Sequence, residues 1–88
     1  MKRYHIVFKG KVQGVGFRYT SKMIADKLNI TGSVKNLNNG DAEAYVQGNE
    51  DDINKFIEEL KNQRFIKIED FYKKEVELKE ENDYKIIG

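Results

Sequence analysis

The residues best suited to chemistry lie together near the start of the chain, in Gly10-Lys11-Val12-Gln13-Gly14-Val15-Gly16-Phe17-Arg18. Before them runs an alternation of Tyr4, Ile6 and Phe8 with His5, Val7 and Lys9, which predicts a β-strand. After them come Phe17, Ile24, Ala25 and Leu28, with Lys22, Asp26 and Lys27 turned outward, which predicts an amphipathic helix. A glycine-rich loop therefore joins a strand to a helix N-terminus. Glycine lets the backbone turn through positive φ and lets N–H groups converge with no Cβ in the way. The first helical turn adds unpaired N–H donors and the positive end of the macrodipole. Arg18 in that turn opposes the dipole by roughly 0.3–1 kcal/mol. A bound anion would reverse that sign, and a guanidinium can hold two phosphate oxygens at once. The pattern suits phosphate, while Arg18 equally suits a carboxylate partner or open solvent. No Gly-Lys-Ser/Thr closes the loop as in a Walker A motif, and the third glycine of a dinucleotide fingerprint is missing.

The remaining inventory is short. There is no cysteine to form a phosphocysteine, a disulfide or a thiolate zinc site. The one histidine, His5, falls in mid-strand, and a lone histidine cannot build a two-metal site without carboxylates around it. Glu50-Asp51-Asp52 reads as the acidic first turn of a helix rather than as metal ligands. With 88 residues the chain reads as one domain, 1–88, near the small end of what folds unaided. Its 16 basic and 15 acidic residues leave a net charge of +1, so no global field recruits nucleic acid or anionic lipid. No signal peptide or membrane-spanning run is visible. The expectation is a cytoplasmic monomer with no metal and no cofactor.

The elements that must position the loop follow from pattern. Asn29-Ile30-Thr31-Gly32 is a helix stop, with Asn29 or Gly32 suited to a left-handed cap. Ser33 to Leu37 forms a short strand, Asn38-Asn39-Gly40-Asp41 turns the chain, and Ala42 to Gln47 returns with Ala42, Ala44 and Val46 inward. Asn49 is a candidate N-cap for a second helix, whose Ile53, Phe56, Ile57 and Leu60 share one face. Phe65 through Leu78 reads as a long strand with a bulge near Phe71. Tyr84 to Ile87 is a short last strand. The order β-α-β-β-α-β, with a short fifth strand, predicts an α+β split βαβ sandwich: a mostly antiparallel sheet carrying both helices on one face.

The loop Gly10–Arg18 resembles the signature of the acylphosphatases, small enzymes that hydrolyse carboxyl-phosphate anhydrides. A second stretch, Gly32-Ser33-Val34-Lys35-Asn36-Leu37-Asn38-Asn39-Gly40, resembles that family's other signature at the expected spacing, and the similarity continues through Val46-Gln47-Gly48. The resemblance implies a ferredoxin-like fold, a small-molecule acyl phosphate as substrate, and no metal. It assigns phosphate binding to Gln13, Gly14, Val15, Gly16, Phe17 and Arg18, and orientation of an attacking water to Asn36. On its own residues Asn36 is an ordinary turn-flanking asparagine. Alternation puts it on the same face as Val34, so the strand is expected to bend or end near Asn36. Thr20 and Ser21 are expected to do no more than bond to local backbone, and Lys9, Lys11 and Lys35 to be solvated surface. Ferredoxin-like RNA-binding domains stack bases on aromatics of strand three. Here that strand offers only Tyr45, which disfavours the reading.

Overall fold

The computed structural model describes residues 1–88. Strand β1 spans Lys2–Lys11, helix α1 Phe17–Lys27, β2 Thr31–Asn36 and β3 Ala42–Gly48. Helix α2 spans Glu50–Lys61, β4 Lys67–Val76 and β5 Tyr84–Ile86. The five strands lie in the order β4-β1-β3-β2-β5, all neighbours antiparallel except β2 and β5. The predicted sandwich is what forms.

The alternation along β1 and β3 sets the core. Tyr4, Ile6 and Phe8 meet Ala42, Ala44 and Val46 on one buried face. Ile53, Phe56, Ile57 and Leu60 from α2, with Phe17, Ile24 and Ala25 from α1, cover it. His5 points to the other face, where Nε2 pairs with Glu43 at 2.8 Å and the ring stacks on Tyr45.

Helix α1 ends in a Schellman arrangement. Asn29 takes a left-handed φ of 57°, Ile30 N–H reaches the Ala25 carbonyl at 2.8 Å and Asn29 N–H reaches Asp26 at 3.3 Å. Gly32, the alternative cap, lies inside β2 instead. There φ is 143°, and a Cβ would stand 1.7 Å from the Tyr45 carbonyl oxygen. Asn49 occupies the N-cap of α2 by its extended backbone, without a side-chain cap bond. The expected bulge falls at Glu69, two residues before Phe71, opposite Lys9 and Gly10. Phe65 and Leu78 lie outside β4 and are 70% and 57% exposed, so the strand is shorter than the apolar run suggested.

Strand β5 carries Tyr84 fully into the core, against Phe56. Its hydroxyl donates to Ser21 Oγ at 3.2 Å, and Ser21 Oγ donates to the Arg18 carbonyl at 2.8 Å. Ser21 thus does more than its local role: it links β5 to the first turn of α1.

Three expectations about stability follow from this packing. Gly32→Ala should cost about 2–4 kcal/mol, because β2 must move off Tyr45 to admit a methyl group at positive φ; urea denaturation measures it. Ser21→Ala should cost about 1–3 kcal/mol by stranding the buried Tyr84 hydroxyl. Burial pushes the Tyr84 phenol well above its ordinary range, with the Ser21 hydrogen bond pulling slightly back. The unfolded chain then loses this proton near pH ~10 while the folded chain keeps it, so stability is full below that pH and declines above it. Urea midpoints of wild type and Tyr84→Phe, followed from about pH 8 to 11, should converge as pH rises.

Candidate active site

Ala42 pairs with Phe8 on one side and with Asn36 on the other. Both flanking strands run antiparallel to β3, so β1 and β2 end at the same edge of the sandwich. Asn36 is the last residue of β2. It shares the helix-facing side with buried Val34, and α1 begins over that side, so ending the strand suffices and no bend is needed. Strand β5 runs parallel to β2, with Val34 opposite Ile86 and the Ile87 N–H on the Val34 carbonyl at 2.9 Å. The chain after β5 therefore arrives at the same corner.

These ends enclose a cleft of about 410 Å³. One wall is the loop before α1: Gly14, Gly16, Phe17 and Arg18 all border it. Gly14 and Gly16 have φ of 73° and 78°, and Gly16 is the N-cap of α1 in left-handed conformation. That turn aims the start of the helix at the cleft. The first turn of α1 holds no acidic residue, whereas α2 begins with Glu50, Asp51 and Asp52. The positive end of α1 is unopposed by any carboxylate of its own.

Arg18 is the only charged side chain on the cleft wall. No side-chain carboxylate pairs with it. Its Nη1 donates to the Gly88 main-chain oxygen at 2.8 Å. A guanidinium has five N–H donors, so one bond to a main-chain oxygen leaves room for an anion. Across the cleft stands Asn36. Its Oδ1 is buried and accepts no hydrogen bond from the protein, and a buried acceptor of this kind calls for an explanation.

The loop residues divide. Gln13 and Val15 do not border the cleft: Val15 packs against the core, and the Gln13 amide turns to the β2–β3 hairpin. The sequence reading passed over Val12, Tyr19, Ile86 and Gly88, which complete the cleft wall. Val12 was visible only as part of the glycine loop and Tyr19 only as the neighbour of Arg18, while Ile86 and Gly88 depend on where β5 lies. Lys9 and Lys35 are engaged with Asp41 and Glu43, and with exposed Lys11 they lie off the cleft wall.

The family model "Acylphosphatase" matches residues 4–86. The chain is 42% identical over 89 aligned positions to an acylphosphatase of Clostridium acetobutylicum, covering 99% of this chain and 98% of that relative. The crystal structure of acylphosphatase from Bacillus subtilis superposes with a TM-score of 0.94 at 38% identity, over the full length of both chains. Full-length HypF, in a phosphate- and nucleotide-bound form, contains a similar fold: TM-score 0.87 and 37% identity over 99% of this chain but only 12% of HypF. With both signature stretches meeting at one cleft and relatives matching end to end, the chain belongs to the acylphosphatase family of enzymes.

Proposed function

We propose that the chain hydrolyses acyl phosphates to a carboxylate and inorganic phosphate, with the phosphoryl group held by the Gln13–Arg18 loop and the attacking water oriented by Asn36. The observation that carries this reading is that Asn36, whose buried Oδ1 has no hydrogen-bond partner in the protein, borders the same cleft as Arg18. The main-chain N–H groups from Val15 to Arg18 and the Arg18 guanidinium supply the charge that phosphoryl oxygens need. Gly14 and Gly16 let that backbone turn, and Phe17 anchors it in the core. Asn36 Oδ1 accepts a hydrogen bond from water, aiming the water's lone pair at phosphorus.

The chemistry fits so spare a site. Water oxygen bonds to phosphorus as the bond from phosphorus to the acyl oxygen breaks, and the electron pair leaves on a carboxylate. A carboxylate is a stable anion at neutral pH and needs no general acid. The transition state is loose, so positioning and charge stabilisation do most of the work. An amide is not a base, so the water's proton passes to the substrate's own phosphate.

The reading treats residues 1–88 as one domain acting as a cytoplasmic monomer, with no metal, cofactor or nucleic acid. No helix is long and apolar enough to cross a membrane. The likeness to a small part of HypF favours a second reading, in which the same cleft serves as a module of a larger protein. Turnover by the chain alone distinguishes the two.

The decisive assay is hydrolysis of a synthetic acyl phosphate with a chelator present. Wild type should turn over, and Arg18→Ala and Asn36→Ala should each lose about 10²–10³ in kcat. Inorganic phosphate should compete, with its inhibition weakened mainly by the arginine change. Above the ionisation range of the substrate phosphate, kcat should be flat with pH; a limb traced to a protein side chain would contradict proton transfer to the phosphate.

A further inference from the structure

Gln13 stands between the two halves of the cleft without bordering it. Its Nε2 donates to the Leu37 carbonyl at 2.8 Å and to the Asp41 carbonyl at 2.9 Å. Both amide hydrogens are thereby committed to the base of the β2–β3 hairpin, where Leu37 N–H also reaches the Asp41 carbonyl at 2.8 Å. Gln13 directly precedes Gly14, and Leu37 directly follows Asn36. One side chain thus ties the start of the phosphate-binding turn to the residue after Asn36. Asn36 has no comparable anchor, since its Oδ1 accepts nothing from the protein. Its placement depends on the backbone that carries it, and Gln13 holds that backbone.

We propose that Gln13 is a positioning residue, which fixes Asn36 relative to the Arg18 loop by clamping the hairpin carbonyls of Leu37 and Asp41. The inference rests on Asn36 being the water-orienting group. A clamp of this kind contributes to the rate through geometry, and misplacement of about 1 Å can cost about 10²-fold. It does not contribute to phosphate affinity, because the Gln13 amide does not face the cleft.

The test is Gln13→Met, which keeps the length of the side chain and removes both donors. kcat should fall about 10- to 100-fold while competitive inhibition by inorganic phosphate stays within about twofold. In an Asn36→Ala background the same substitution should cost less than about twofold, because nothing remains to be positioned. A residue with only a structural role would lower the melting temperature and add its full rate loss in both backgrounds. That additivity, or a loss of phosphate affinity matching the loss of kcat, overturns the proposal. Gln13→Asn, one methylene too short for both carbonyls, is the milder variant if Gln13→Met does not fold, and should show the same pattern at smaller amplitude. A wild type with no turnover would fail the functional reading alone. The clamp is then judged from the NMR order parameter of the Asn36 side-chain amide, which falls on Gln13 substitution if the clamp acts and stays unchanged if it does not.

Discussion

Ala42 stands in register with two flanking strands at once, and the cleft depends on that double pairing. A small residue on a central strand sets Phe8 and Asn36 in register on either side. The loop after β1 and the last residue of β2, 18 positions apart from Arg18 to Asn36 in the chain, are thereby delivered to one corner. Main-chain pairing does this, and side chains then refine it. Gly32 lets β2 lie close against Tyr45, and Gly10 lets β1 pass Lys67 and Glu69 where a Cβ would stand 2.2 Å from the Lys67 carbonyl oxygen. Gly10 does this at the end of β1 that leads into the loop, and Gly32 at the start of β2, away from the cleft.

Charge is arranged with comparable economy. The carboxylates nearest the hairpin, Asp41 and Glu43, are taken up by Lys9, Lys35 and His5. The pairs made by the exposed lysines add little to stability, about 0–1 kcal/mol each. Their consequence is local: neither Asp41 nor Glu43 is left free to compete for Arg18. The guanidinium, the unopposed end of α1 and the loop N–H groups then act as one positive site in a molecule whose net charge is only +1. Behind it, the chain from Tyr84 through Ser21 to the Arg18 carbonyl fixes the first helical turn from the core side.

What could be read from the sequence was whatever is encoded locally. The alternation in β1, the stripe on α2, the glycine turn before Arg18 and the Asn29 stop each act within a few residues, and each is found where expected. The misses share one cause. Ser21 has unremarkable neighbours in sequence, the glycine loop around Gln13 says nothing of the hairpin, and their partners lie 63 and 24 or 28 residues away. No periodicity carries that information. Gly32 could pass for a helix cap because its requirement for positive φ is shared by caps and tight strand pairings alike. Phe65 looked like core by type, yet the chain turns there between α2 and β4 and leaves it outside. Asn36 is the sharpest case: by its own neighbours it is a turn asparagine, and only the resemblance of the surrounding stretch set it apart.

The order of the sheet leaves β4 as one edge and β5 as the other. A ten-residue edge strand offers an open row of main-chain donors and acceptors to any other extended chain. Here six of those ten residues, Lys67, Glu69, Asp70, Lys73, Lys74 and Glu75, are charged, and the bulge at Glu69 interrupts the ladder. An incoming strand would have to dehydrate those groups and match an irregular spacing. The opposite edge is guarded by brevity, since β5 is only three residues long. The chain contains no proline to break either edge, so resistance to stacking into fibrils falls to hydration and misregister.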